Sequence, residues 1–194
     1  GGEVVGAVRY GSGHINDTFQ VTFDQGGTLL HYIIQRVNTN VFKAPEELMD
    51  TLNDLVTEEY RSRVPMKPGA DQLLSRLAER NIPCCIATAS EAFQARSAME
   101  RLGLWKYFRF AVSCVQYGGK TRPDIYLEAA RRIGLAAADC VVFEDLYECI
   151  LAAKRGGFYT VAVEEPTSGL DRVRLLREAD WFIRDFGDLL EQNS

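Results

Sequence analysis

Histidine is scarce in this chain. His14 and His31 are the only two among 194 residues, and the five cysteines are an odd number with no C-x-x-C spacing. A zinc site draws on paired thiolate or imidazole ligands at close spacing, so this inventory speaks against one. Cys84 and Cys85 are adjacent and point to opposite faces of a strand, which suits neither a bridge nor a shared metal. With Cys114, Cys140 and Cys149 they lie in or beside apolar runs, which reads as buried reduced thiols in a cytoplasmic protein. No apolar run approaches the roughly 18 residues of a membrane span, because charges interrupt every candidate. Positive charge is not in excess either. The 27 acidic and 22 basic residues give a formal net charge of -5, against a general nucleic-acid binder. The opening GGEVVGAVRYGSG lacks a basic start followed by a long apolar stretch, so it does not read as a signal peptide. The remainder is ordinary for a globular chain, 46% hydrophobic and 25% charged. Its length allows one full domain, or a domain with a partial second module, and a core that needs no disulfides.

Two regions obey different rules. EVVGAVRY at 3–10, TFQVTFD at 18–24 and LLHYIIQRV at 29–37 are rich in β-branched and aromatic residues, with turn chemistry at residues 10–13 and 24–27. Short connections predict an antiparallel meander. A helix is predicted over 44–60, with Pro45 and the acids Glu46 and Glu47 in its first turn. Beyond Pro65 and Pro68-Gly69 the pattern becomes helices over 70–80, 93–102, 123–133, 146–155 and 170–178. These alternate with short apolar strands over 82–87, 110–115, 140–143, 159–163 and 181–183. Such alternation predicts a parallel α/β sheet.

In an open parallel sheet, ligands bind beyond the carboxyl ends of the strands. The strand at 82–87 runs into Thr88-Ala89-Ser90, whose hydroxyls at a helix start suit a phosphate, or simply cap the helix. The strand at 140–143 runs into Glu144-Asp145. Two acids leaving a buried strand need a partner, and oxygen ligation of Mg²⁺ would supply one; capping by Asp145 is compatible with it. Between them, Gly118-Gly119-Lys120 offers a turn and a cation that either meets a phosphate or stays in solvent.

Taken in order, hydroxyl, lysine and acid pair resemble the haloacid dehalogenase superfamily of phosphohydrolases, in particular its sugar-phosphate phosphatase and β-phosphoglucomutase-like branch. CIATAS at 85–90, GKTRPDIYLEAARRIG at 119–134 and VVFEDLYECILAAKRGGFYTVAV at 141–163 carry the resemblance, with the lead-in VPMKPGADQLLSRLAERNIP at 64–83. It covers about residues 56 to 190. It implies a Rossmann-like α/β core, with Thr88 contacting the transferring phosphoryl, Ser90 supporting it and Lys120 neutralising charge there. Glu144 and Asp145 would bind Mg²⁺. Leu146 departs from the small polar residue often found after the acid pair.

The family's first core strand, carrying an aspartate nucleophile in a D-x-D-G-T pattern, has no counterpart before the 70–80 helix. The nearest match, FDQGGTLL at 23–30, has Asp24 in the first place and Gly26 in the second. Asp24 is therefore either a lone nucleophile or a hairpin residue, the second being favoured. Residues 5–52, chiefly GSGHINDTF at 11–19 and YIIQRVNTNVF at 32–42, resemble the opening of the aminoglycoside-phosphotransferase-like N-acetylhexosamine kinases. The implied organisation is a kinase-like β segment over 1–52 and a phosphohydrolase core over 53–194, incomplete at its first strand. A sheet without that strand leaves backbone groups unpaired, a heavy cost, so residues 19–23 are expected to fill or cover the place. The leading function is a Mg²⁺-dependent phosphatase or phosphomutase-like enzyme acting on a small phosphorylated metabolite, a sugar phosphate. A phosphate- and Mg²⁺-binding remnant without turnover is the alternative, and a nucleotide-binding kinase fragment is third. No nucleic-acid or membrane partner is expected.

Overall fold

A computed structural model describes residues 3–9, 17–25, 28–36, 44–165 and 171–191. Contacts divide the chain into two units, residues 1–56 and 57–194.

In the first unit the β-branched run folds as the sequence predicts. β1 (Glu3–Arg9), β2 (Asp17–Gln25) and β3 (Thr28–Arg36) form an antiparallel sheet in that order. β2 and β3 pair without a break from Asp17 opposite Arg36 to Gln25 opposite Thr28, the register of a two-residue hairpin. β1 pairs with β2 across a register shift between Val4 and Gly6. The turn at 10–13 and Gly26-Gly27 lie outside the described residues. Because β2 is hydrogen-bonded to β1 on one edge and to β3 on the other, it has no edge left for the core sheet. The expectation that residues 19–23 fill the vacant place is thus overturned: hairpin pairing with near neighbours in sequence claims the strand first. α1 (Pro45–Ser62) follows and continues into the second unit from Thr57, with Glu46 and Glu47 in its first turn and Arg61 in its last, both favourable to the helix dipole.

The second unit alternates as predicted. Its elements are α2 (Ala70–Glu79), β4 (Cys84–Thr88), α3 (Ala92–Arg101), β5 (Phe108–Ser113), α4 (Asp124–Ile133), β6 (Val141–Glu144) and α5 (Tyr147–Arg155). β7 (Tyr159–Val163), α6 (Arg172–Glu178), β8 (Trp181–Ile183) and the short α7 (Asp188–Glu191) complete it. All strand pairs are parallel, but they form two sheets, β4-β5 and β6-β7-β8. β5 ends at Ser113, earlier than the apolar run, because its hydroxyl accepts from the Val115 amide and turns the chain into a 3-10 turn at Cys114–Tyr117. β4 and β6 run one residue further than their apolar runs. Thr88 and Glu144 therefore occupy the last ladder positions, opposite Ser113 and Ala162.

α4 underlies both sheets. Its Ile125, Tyr126, Ala129 and Ala130 belong to one buried cluster, against which Cys85 and Ala87 of β4, Val142 of β6 and the preceding Cys140 all pack. All five cysteines are free thiols, with Cys114 and Cys149 buried. Burial pushes Cys85 and Cys149 up to about 11, which keeps them protonated and unreactive. No helix among the described residues is long and apolar enough to cross a membrane.

Asp180 clamps the far edge. Its Oδ2 accepts from the Thr160 amide at 2.8 Å and from the Thr160 hydroxyl at 2.7 Å, while Lys154 Nζ lies 3.0 Å from Oδ1. Burial disfavours its charge, but the Thr160 and Lys154 hydrogen bonds outweigh this and hold the carboxyl below its usual range. Asp180→Ala leaves the fully buried Thr160 hydroxyl without its acceptor and is expected to cost about 1–3 kcal/mol in urea unfolding. A depressed carboxylate contributes stability above its unfolded value of about 3.9 and loses it as pH falls through the folded one. The gap between the two proteins should accordingly close at the acid end of a pH series.

Candidate active site

The site grows from the carboxyl ends of β4 and β6. Thr88, the last residue of β4, is buried, and its Oγ1 accepts from the Ser90 amide at 3.0 Å. Ser90 Oγ lies 2.8 Å from the Tyr60 hydroxyl, so α1 supplies a third hydroxyl to this group. Neither Thr88 nor Ser90 caps α3. Its N-cap is Glu91, whose amide donates to Gln94 Oε1 at 3.1 Å. Gln94 in turn donates from Nε2 to Thr57 Oγ1 at 2.8 Å, fixing the end of α1 against the loop. The hydroxyl cluster is thus not spent on helix capping.

Lys120 reaches the site through two glycines. Gly118 and Gly119 both adopt left-handed backbone, φ 72° and 99°, which folds the loop back before α4. The lysine is not the solvated loop residue that composition alone would allow. Its side chain is 18% exposed and its Nζ is ion-paired with Glu144 Oε1, on a side chain only 6% exposed. Tyr126 donates its hydroxyl to the same Oε1 at 3.0 Å and shares it with the Lys120 carbonyl oxygen at 3.4 Å. Burial raises the Glu144 carboxyl above its usual range against the opposing pull of Lys120. Burial also works against the Lys120 charge, but Glu144 outweighs it and holds the ammonium above its usual range. Burial, then the neighbouring Glu144, pushes the Tyr126 phenol far up, so it stays a donor.

Asp145 does not cap α5, whose N-cap is Leu146. Its side chain is 35% exposed, and its nearest cation is Lys67 Nζ at 3.8 Å. Lys67 is held at 2.9 Å by Glu165 Oε2. The predicted residues therefore form two groups: Thr88 with Ser90, and Lys120 with Glu144, flanked by Asp145. No hydrogen bond or ion pair joins one group to the other. Asp24 stands in β2 opposite Leu29 and Glu3, in antiparallel pairing, as a hairpin residue would. Sequence reasoning missed Tyr126, Tyr60 and Lys67. Only Tyr126 carried a signal, as a tyrosine on the apolar face of α4, where a buried hydroxyl needs a partner.

Among the described residues no group of three or more His, Cys, Asp or Glu is placed to hold a metal. Mg²⁺ needs less than that. It takes one or two carboxylates and fills its shell with water and phosphate oxygens. Asp145, partly exposed with one long ion pair, fits that demand. Glu144 fits it less fully, since its Oε1 is engaged by Lys120 and Tyr126.

Parallel strands alternating with helices, with Thr88 and Glu144 at the strand ends, define an α/β protein. The chain belongs to the haloacid dehalogenase-like hydrolase family, whose sequence profile matches residues 32–157. It is similar to hexitol phosphatase A of Escherichia coli strain K12, 36% identical over 111 residues that make up 56% of this chain and 51% of that protein. It is similar also to β-phosphoglucomutase of Bacillus subtilis strain 168, 35% identical over 109 residues, 55% and 47% of the two chains. The fold matches a haloacid dehalogenase-like protein of Agrobacterium tumefaciens with a TM-score of 0.62 at 24% identity, over 76% of this chain and 68% of that one. The chain spans about half the length of the curated relatives it matches.

Proposed function

We propose that this chain is a Mg²⁺-dependent phosphoric monoester hydrolase or phosphomutase-like enzyme whose substrate is a small phosphorylated metabolite, a sugar phosphate. The observation that carries the reading is the buried Lys120–Glu144 pair at the carboxyl end of β6. A lysine is otherwise rarely buried, and a paired one serves as a fixed cation for an anionic ligand. The names of the phosphatase and mutase relatives support the substrate class.

In this reading Thr88 and Ser90 donate hydroxyls to the phosphate, and Lys120 neutralises its charge. Asp145, with Glu144 behind it, would hold Mg²⁺. The metal would offset charge on the phosphoryl oxygens during transfer. Tyr126 keeps Glu144 oriented, and Lys67 lies beside Asp145. No step is assigned to Asp24. The partner is the metabolite alone, with neither nucleic acid nor membrane, and the setting is cytoplasmic. For residues 5–52 the sugar-kinase likeness stays a proposal, tested by saturable ATP binding that changes at Gly11 and Gly13 abolish.

A second reading, phosphate and Mg²⁺ binding without turnover, is favoured by one observation. Among the described residues no strand is hydrogen-bonded between β4 and β6, and the sequence offers no complete D-x-D pattern for such a strand. Phosphate release from a panel of hexose and pentose phosphates in Mg²⁺ decides between the two. Turnover supports the enzyme, whereas saturable orthovanadate binding with no release supports the binder. In either case Asp145→Asn is expected to weaken Mg²⁺ binding by about tenfold or more, measured calorimetrically, because ligand charge sets affinity at such sites. Unchanged affinity would remove Asp145 from the metal site.

A further inference from the structure

The loop that follows β4 is fixed by side chains. Thr88 closes the β4-β5 ladder opposite Ser113, and its Oγ1 accepts from the Ser90 amide at 3.0 Å. The Ala89 carbonyl accepts from the Cys114 thiol, with Sγ 3.8 Å from the oxygen. The Glu91 amide donates to Gln94 Oε1 at 3.1 Å, and the buried Gln94 donates from Nε2 to Thr57 Oγ1 of α1 at 2.8 Å. The amides of Ser90 and Glu91 are therefore already engaged within the loop. A ligand at this strand end meets hydroxyls in their place, and a hydroxyl, unlike an amide, can present either a proton or a lone pair.

Tyr60 bears on which of the two Ser90 presents. It stands one turn after Thr57, on the same face of α1, and its hydroxyl lies 2.8 Å from Ser90 Oγ. A phenol is more acidic than an aliphatic alcohol, so it is the better donor of such a pair. The ligand favours the same direction. Were Ser90 to donate to Tyr60, its lone pairs would face an anion and repel it. With Tyr60 donating, the Ser90 proton is left for the anion, and a hydroxyl that accepts one hydrogen bond donates a stronger one. Thr88 is set in the same way, since its oxygen is taken by the Ser90 amide.

We propose that Tyr60 is a positioning residue for phosphate: its phenol donates to Ser90 Oγ and so commits the Ser90 hydroxyl proton to a phosphoryl oxygen. Ser90 and Thr88 then form a pair of donors matched to a ligand that only accepts. Tyr60 acts through Ser90 and not on the ligand itself. The inference rests on the phosphate reading of this strand end, but it does not depend on turnover.

Inorganic phosphate is the probe, titrated calorimetrically into the full chain in Mg²⁺. Tyr60→Phe should weaken its binding by about three- to tenfold, the loss of one hydrogen bond. Ser90→Ala should weaken it by about tenfold or more, since a charge-assisted bond to the anion is lost outright. The double variant should bind no more weakly than Ser90→Ala, because Tyr60 then has nothing to orient. Tyr60→4-aminophenylalanine, which keeps the ring and an N–H donor in place of the O–H, should recover most of the loss. Amide exchange over residues 88–94 should be the same in Tyr60→Phe as in the parent, because the other bonds of the loop stay. Parent-like phosphate affinity in Tyr60→Phe would overturn the proposal, as would an equal loss from that change with and without the Ser90 hydroxyl. No recovery with 4-aminophenylalanine would overturn it through the donor direction. Faster exchange across 88–94 in Tyr60→Phe would overturn it in favour of simple support of the loop. A parent chain that binds no phosphate would overturn the phosphate reading of the site together with this proposal, whereas every other adverse result leaves that reading standing.

Discussion

Lys120→Met should lower the thermal midpoint by about 6–20 °C, the equivalent of about 3–5 kcal/mol for removing one partner of a buried ion pair in a chain of this size. The size of the effect follows from where Glu144 sits. Its side chain is only 6% exposed, its carboxyl is already raised by burial, and Lys120 is its one paired cation among the described residues. Methionine fills the volume of the lysine stem but leaves a carboxylate at depth with the Tyr126 hydroxyl as sole partner. The double variant Lys120→Met with Glu144→Gln should regain at least half of the loss, since no charge is then stranded and Tyr126 keeps an acceptor. A single variant melting within a degree of the parent would show that the pair does not exist in solution. The same single variant should lose orthovanadate binding. A protein that bound it as tightly as before would separate the structural role of Lys120 from the proposed phosphate role.

That pairing marks how far the sequence could be read. Thr88, Lys120, Glu144 and Asp145 are legible because strand ends are: a short apolar run stops, a polar residue follows, and a helix begins. Their order along the chain carries the resemblance. Which of them touch is a different matter. Lys120 reads as a cation for phosphate and Glu144 as a metal ligand, yet the fold sets them on each other. The contact depends on α4 crossing under both sheets and on two left-handed glycines turning the loop, neither of which has a local periodic signature. Lys67 is likewise silent in sequence, a lysine before Pro68-Gly69, until β7 brings Glu164 and Glu165 against it. The divided sheet was foreshadowed by the missing D-x-D strand. The placement of β2 was not, because alternating apolar residues fit a hairpin as well as a core strand, and pairing is decided by loop length rather than composition. α7 escaped notice as a four-residue helix too short for periodicity to show.

Gly69→Ala should be the most damaging minimal change in the loop ahead of α2, costing about 2–5 kcal/mol in urea unfolding. Two costs combine. Gly69 is left-handed, φ 76°, a conformation that penalises any Cβ by about 1–2 kcal/mol. A Cβ there would also lie 2.5 Å from the Gly187 nitrogen and 2.8 Å from the Phe186 carbonyl carbon, both backbone atoms that cannot rotate aside. Relief requires the 185–187 turn to move. That turn is anchored by the Phe186 amide donating to the Pro68 carbonyl at 3.1 Å, and Arg76 donates to the Leu190 carbonyl at 3.3 Å just beyond it. Phe186 also packs edge-on against Phe143, with centroids 5.6 Å apart, so displacement reaches β6 directly. Gly103→Ala separates the two costs. Gly103 has φ 71°, but its Cβ would meet nothing within 4 Å, so it should lose only the conformational share. An excess at Gly69 of about 1–3 kcal/mol over Gly103 measures the backbone contact between the α2 loop and the turn before α7. Equal losses at the two positions would assign the whole effect to left-handed geometry and remove that contact from the forces that hold β6 in place.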